Sequence, residues 1–405
     1  MPSCRRRFLQ SIGLAIAGLT HGAPVADAVE ASPDSGLDWP MARYDPAGTG
    51  HHPTASGPTD TVSIRWTHDA PEWFLGTTSL VRRGDTLYAV GNGLLALDSE
   101  SGDRQFGRAG PYQSSPALAP APAYNTDTLA VTAPSGVFGL NAGGGFTIPL
   151  LNRPVGVERW AGPQSAGGGF FGPAEADTPV TADGVIYAAL PGTNSVAALD
   201  PNNGRVLWRR THHEDDPVSA EINRPAVSDG LVFVTNWPKQ AAAYHAETGA
   251  RQWLVELDDQ LLLPPVATEH GVVVPSREFV YLLDPTDGSE VWRYSTDGNA
   301  TESTPAVSDG TIFVADERES LHAIALATGQ QRWTAPFDGP TTPVVADGTV
   351  YAVRSGYSLV ALDAESGETL FEYRPSQVPL STPIVGDGVL YAANRKRILA
   401  LEEAA

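Results

Sequence analysis

The alternation of apolar and polar positions is clearest in 303–333, STPAVSDGTIFVADERESLHAIALATGQQRW, where short apolar runs are separated by polar turn signals. Residues 305–308 form a first run, Asp309-Gly310 turns it, 311–315 returns, 321–324 forms a third, and 330–333 opens a fourth after Gly329. An Asp-Gly pair between β-branched and aromatic residues is a strong hairpin signal, because both central positions of the tight turn need a backbone that Asp and Gly tolerate. The stretch therefore predicts a four-stranded β-meander. Alone, such a meander cannot bury both faces, so it needs neighbours of its own kind.

The chain supplies them. Eight phrases of this type follow one another, with first-strand markers at Leu80, Pro116, Pro179, Pro225, Pro265, Pro305, Pro343 and Pro383. Their third strands run into blocks such as ALDPNNGRVLW at 198–208, YLLDPTDGSEVW at 281–292 and ALDAESGETLF at 361–371. The last phrase stops at Ala400-Leu401-Glu402, before its glycine and tryptophan, so seven phrases supply their own outer strand and the eighth does not. The run VSIRW at 62–66 is an orphan strand ending in Trp66, and it fits that vacancy. Pairing it with the last phrase closes a ring and removes the exposed sheet edges that invite aggregation. The expectation is an all-β fold: an eight-bladed β-propeller of four-stranded blades over 62–405, closed by the N-terminal strand. An arm at 29–61 precedes it, with WPMARYDPAGTGHHP (39–53) lying against the body.

Each block has a physical rationale. Its Asp accepts local backbone hydrogen bonds in a turn, the Gly four residues on allows a positive φ, and the aromatic four further packs as a flat wedge against the next blade. Trp208, Trp253, Trp292 and Trp333 hold the wedge position, Trp66 brings one on the orphan strand, and Phe106 and Phe371 substitute for it. These are read as structural docking residues. In the block of the second phrase, Asn141 stands for Asp, and Gly143-Gly144-Gly145 reads as a turn rather than a phosphate cradle.

The spacing Ala-x-Asp-x-x-x-Gly-x-x-x-Trp resembles the docking motif of eight-bladed quinoprotein dehydrogenases. It is equally similar to that of the related non-enzymatic scaffold lipoprotein of the bacterial outer-membrane barrel-assembly machinery, over about 62–402. The resemblance implies the PQQ-like repeat fold and says less about chemistry. Alcohol dehydrogenases of the family hold the quinone under adjacent cysteines, with calcium ligands and a catalytic aspartate on channel-facing loops. Adjacent cysteines are absent here, and neither a calcium-ligand set nor a catalytic Asp aligns. The resemblance is nearer to the scaffold type.

Composition sharpens this picture. The 405 residues include 41 Gly and 34 Pro, a punctuation that favours all-β structure over long helices. The net charge is −21, and Lys239 and Lys396 are the only lysines. An acidic, lysine-poor surface suits a haloarchaeal protein kept hydrated in concentrated salt, or alternatively an ordinary acidic secreted protein. A polyanion would be repelled, which disfavours nucleic acid as a partner. Residues 1–28 read as an export signal. Arg5-Arg6 with Phe8-Leu9 resembles the twin-arginine type, the apolar run 12–19 is too short to span a bilayer, and Ala26-Asp27-Ala28 is a small-residue cleavage pattern. Cleavage there removes Cys4, the only cysteine, and with it any disulfide, thiolate metal site, covalently held haem or lipid-modified N-terminal cysteine. The expected mature chain is exported, extracellular or attached to the cell surface, monomeric and without a transmembrane helix.

Strand order places both glycine turns of every phrase on one face. The loops between second and third strands share the other, irregular face with the inter-blade connections, and binding belongs there. Its candidate residues are Trp73, Trp160, Phe170, Phe171, Glu221, Arg224, Trp237, Arg277, Arg318, Arg354 and Arg395. The insertion 152–177, with Arg159-Trp160 and GGGFFG, is either a cap over the central channel or a solvent-exposed excursion. Arg224 replaces the Thr304 and Thr342 of sister phrases and is placed to point into the channel, where with Glu221 it binds a polar ligand or neutralises the mouth. His51-His52 lacks carboxylate or cysteine partners and reads as solvated. His212 to Asp216 is a divalent-cation site or a solvated acidic loop. No G-x-S-x-G, H-E-x-x-H or P-loop is present. The function expected is that of an exported, cofactor-free propeller that binds a protein or cell-surface partner. The alternative is a PQQ- and calcium-dependent dehydrogenase of an alcohol or sugar.

Overall fold

The computed structural model describes residues 38–70, 78–148, 153–164, 177–211, 222–236, 239–259, 263–296, 303–316, 318, 320–339, 341–394 and 396–405. Among these, regular structure is all strand. The repeating unit is the antiparallel meander foreseen at 303–333: Ala306–Ser308, Thr311–Ala315, Ser320–Ala325 and Gln331–Pro336, hydrogen-bonded in chain order. Its first turn is the Asp-Gly hairpin, with Asp309 at φ 48 and Gly310 at φ 67, and Asp183, Asp229, Asp347 and Asp387 repeat that left-handed geometry.

Burial follows strand position. Most residues of the three-residue inner strands and of the second and third strands are buried, and most are apolar, as in Thr311–Ala315, because other meanders pack against both sides. The outer strands are mostly exposed and turn only a residue or two inward, as Ala335 in Gln331–Pro336, since one edge and part of one face meet solvent. The outcome is a β-propeller whose sheets pack face to face around a central axis, and the hydrophobic clusters lie between neighbouring sheets.

The N-terminal strand Val62–Asp69 pairs antiparallel with Arg397–Glu403, from Val62↔Glu403 to Asp69↔Arg397, and forms the outer strand of the sheet that ends the chain. Arg397 Nε donates to Asp69 at 2.6 Å at one end of this pairing.

Docking between sheets is equally regular. The indole Nε1 of Trp66, Trp208, Trp253, Trp292 and Trp333 donates to the carbonyls of Ser99, Ala246, Pro285, Leu326 and Ala364 on the next meander, at 2.7–3.0 Å. Each indole also lies flat on that meander's turn glycine: a Cβ on Gly329 would stand 2.7 Å from the Trp292 ring. Only glycine permits that approach, and its φ of +68 suits it as well. Phe106 is buried against Gly144 in the same way without the hydrogen bond, and Phe371 is buried at the wedge position of its own strand.

The second meander corrects one expectation. Gly136–Ile148 and Arg153–Gln164 form a long bulged hairpin, so 153–164 is that meander's outer strand and not an irregular-face insertion. It also reaches back to pair parallel with the preceding outer strand at Val155↔Gly107, which merges two meanders into one eight-stranded sheet. Trp160 is therefore a docking wedge: it is buried, donates to Pro201 O at 2.9 Å and lies on Gly204. Sequence spacing missed it because the hairpin lengthens the interval between the turn glycines and the aromatic.

Candidate functional site

The arm Asp38 to Ser56 does not lie on the outside of the body; it lines the inside of the ring. A three-residue inner strand has a ladder partner on one side only, which leaves backbone N–H groups aimed at the channel and in need of acceptors. The arm supplies these at equivalent positions. The amides of Arg82, Leu118, Val227, Ala267, Val307 and Val345, each the second residue of its inner strand, donate to the carbonyls of Trp39, Pro40, Pro46, Ala47, Thr49 and Gly50 at 2.8–3.0 Å. His51–His52 then pairs parallel with Val344–Ala346, and Gly388 N donates to Ser56 O. The segment thus follows the inner wall in the order of the meanders.

Two guanidiniums close the centre. Arg43 of the arm donates to the carbonyls of Pro305 and Pro343 at 2.7 and 2.8 Å. Arg224 donates to those of Pro225 and Pro265 at 3.1 and 3.4 Å. All four acceptors are marker prolines, so each arginine bridges two successive meanders. Gly50 packs on the Arg43 guanidinium and Gly48 on that of Arg224. Asp45 is held by Gly48 N at 2.6 Å, Thr49 N at 3.0 Å and the Thr49 hydroxyl. Burial is the main influence that lowers Arg43 to about 9, with the neighbouring Arg224 adding to it and Asp45 opposing. Burial likewise lowers Arg224 to about 10 against Asp45 and Asp177, so both stay cationic at neutral pH.

His52 is another departure from expectation. It is fully buried beside Trp39 and Tyr44, with ring centroids 6.0 and 4.6 Å away. Its Nδ1 accepts from Ala55 N at 3.0 Å, and burial, followed by the adjacent His51, pulls its pKa down to about 4. His51 is half-buried. His52 is not solvated and His51 only partly so, because the arm enters the core. Three bulky apolar residues, Trp39, Met41 and Tyr44, within six positions were the signal: a solvated linker has no use for them.

Of the candidate binding residues, Arg277 and Arg318 are exposed in loops between second and third strands. Arg354 pairs with Glu372 at 3.6 Å and lies over the Phe337 ring at 5.2 Å. Arg224 is the buried channel residue just described. Trp160 is structural, and Arg159 beside it binds Thr128 and Asn141 at the glycine-turn end, stacked on Tyr124. Trp73, Phe170, Phe171, Glu221, Trp237 and Arg395 lie outside the described residues, as do His212 to Asp216.

Sequence reading also passed over a buried polar relay. His322 Nε2 meets Asp316 Oδ2 at 2.8 Å, and its Nδ1 meets the Tyr294 hydroxyl of the preceding meander at 3.0 Å. Tyr294 in turn donates to Gln331 at 2.8 Å, and Asp316 Oδ1 accepts the amides of Arg318 and Ser320. Third-strand positions matching His322 hold Leu95, Ala197, Ala242, Tyr281, Val360 and Leu399, so an imidazole in a column of mostly aliphatic residues was the visible sign.

Fold and site together define a β-propeller of PQQ-like repeats. Residues 192–278 and 276–404 match a family model described as outer membrane protein assembly factor BamB, together more than half of the chain, and the chain belongs to that family. The BamB of Salmonella typhimurium is 26% identical over 162 residues, covering 38% of this chain and 39% of that protein. The BamB of Moranella endobia is 24% identical over 241 residues, covering 55% and 61%. The chain thus aligns with less than two thirds of either relative. Among solved structures, the quinohemoprotein alcohol dehydrogenase of Comamonas testosteroni superposes with a TM-score of 0.70 at 13% identity, covering 94% of this chain and 82% of that one. BamB of Moraxella catarrhalis gives 0.63 at 13%, covering 84% and 98%. Both likenesses concern fold.

The dehydrogenase likeness raises the question of whether a quinone with calcium fits these residues. Among the described residues no three His, Cys, Asp or Glu side chains converge as a metal site. The inner-strand amides and four prolyl carbonyls are already engaged by the arm and by two arginines. The described residues do not fit that group. No helix among them is long and apolar enough to cross a membrane.

Proposed function

We propose that this chain is an exported, non-enzymatic eight-bladed propeller that holds a protein or cell-surface partner on its irregular face. The observation that supports it most is the filled channel. Where a propeller enzyme needs an open axial site, this ring spends its inner donors and acceptors on its own segment 38–56. The relatives described as assembly factors agree with a binding role. The blade count rests on the sheet order, with the eight-stranded sheet taken as two blades and Val62–Asp69 completing the last. Arg277 and Arg318, exposed in equivalent loops of adjacent meanders, are the described residues we assign to the contact.

The test is capture from the envelope of the source cells with immobilised wild-type protein and with Arg277→Glu/Arg318→Glu. The expected result is a partner retained by the first and lost with the second at unchanged thermal stability. Equal capture by both removes these loops from the reading. The dehydrogenase reading keeps the support of the fold likeness alone. A titration with pyrroloquinoline quinone and calcium that shows saturable binding overturns the non-enzymatic reading.

A further inference from the structure

We infer that the inner edge of the ring is a peptide-binding surface, and that its occupant, the chain's own segment 38–56, is a detachable clasp. Recognition is through the backbone. Six amides at one level of the wall, contributed by six inner strands, donate to six carbonyls of one segment, which is itself folded by tight turns between Met41 and Gly50. Bridges at Trp39 and Met41 and the short pairing of His51–His52 make this a discontinuous form of strand addition, carried round the inside of a ring rather than along one sheet. Proline suits such a segment, because Pro40 and Pro46 give a carbonyl to the wall and leave no N–H to be satisfied on the other side.

Side chains give the surface its selectivity. Arg224, built into the wall, and Arg43, delivered by the clasp, make the same contact: each bridges the carbonyls of two successive marker prolines. Each rests on a glycine of the clasp, Gly48 or Gly50, where a Cβ would overlap the guanidinium. The surface therefore selects a peptide able to take the same turns, with one arginine and with glycines at those two positions. The segment is tied to the rest of the ring by 53–60, in which Pro53, Thr54, Ser56, Thr59 and Asp60 are exposed. Cutting that tether leaves the clasp held by the wall alone. The inference stands apart from the identity of any partner on the irregular face.

The experiment places a protease site at Thr59-Asp60 in the full-length protein and cleaves after folding. The cleaved ring is then followed by gel filtration, mass spectrometry and exchange against a fluorescent synthetic peptide of sequence 38–56. The clasp is expected to co-elute with the ring and to exchange with the labelled peptide. Peptides carrying Arg43→Met or Gly48→Ala should compete at least about tenfold more weakly, as loss of one charge-assisted contact predicts. Because the substitutions sit in the peptide, a folding defect of the ring cannot imitate this result. Release of the clasp on cleavage, with amide exchange at Val227, Ala267, Val307 and Val345 unchanged, overturns the inference. So does co-elution without any exchange up to the urea concentration at which the ring unfolds. Equal competition by a scrambled peptide also overturns it.

Discussion

Gly48 offers the sharpest quantitative check on the filled channel, since Gly48→Ala changes one methyl group and no charge. The residue sits at φ +81, and its Cα faces the Arg224 guanidinium, with Nη1 only 2.8 Å from where a Cβ would stand and Nη2 nearer still. Two costs follow. A left-handed backbone disfavours any L side chain by about 1–2 kcal/mol. The guanidinium must also withdraw from Pro225 O and Pro265 O, at 3.1 and 3.4 Å. Hydrogen bonds from a charged donor contribute about 1.5–3 kcal/mol each, and the longer of these two belongs at the bottom of that range or below it.

Gly348→Ala is the matched control. It has φ +71 and open space around a Cβ, so it carries the backbone cost without the clash. The difference between the variants should be about 2–4 kcal/mol. Native-state amide exchange reads this locally: protection at Val227 and Ala267 should drop roughly 30- to 1,000-fold more in Gly48→Ala than in Gly348→Ala. Equal loss in the two variants would refute the claim that the arm and Arg224 form one packed unit.

Other outcomes follow from the same geometry. Trp333→Phe keeps the aromatic wedge but leaves Ala364 O without its 3.0 Å donor, and should lower stability to urea by about 1 kcal/mol. His52 takes up its proton near 6.5 when unfolded and at about 4 when folded, so stability should decline as pH falls through that window, by up to about 3 kcal/mol. A pH series of urea midpoints in which His52→Asn declines as steeply as wild type would contradict this. His322→Leu alone strands the buried Asp316 carboxylate and should cost about 3–5 kcal/mol, whereas adding Asp316→Asn should recover most of that, since Asn keeps an acceptor for the amides of Arg318 and Ser320. A double variant no more stable than the single one would show that the pair is not coupled.

What sequence alone revealed was whatever repeats. The Asp-Gly turns, the glycine under each indole and the orphan strand at 62–66 are each forced by a local rule, and the rule recurs often enough to be recognised in one chain. What it hid falls into two kinds. Trp160 obeys the docking rule, but a bulged hairpin between Gly136 and Gln164 changed the interval by which the rule was read. The arm obeys no interval at all, because its carbonyls meet amides from six strands spread over more than two hundred residues. Backbone pairing of that kind leaves almost no imprint on side-chain pattern. Only the apolar residues around Arg43 betrayed that the stretch is buried.

The buried arginines show why the arm belongs to the fold. Two buried cations near each other repel and lose hydration, and the lowered proton affinity of Arg43 records both costs. Four prolyl carbonyls are brought together because four successive meanders begin in the same way, and carbonyl dipoles with no donor would themselves be unsatisfied there. Cation and carbonyls each reduce the other's penalty. Arg224 is part of the wall, and the second donor, Arg43, comes from outside the repeats. Among the described residues, the N-terminal segment is the part free of the repeat rule that reaches the channel. The same regularity that builds the ring therefore creates the vacancy that the arm fills.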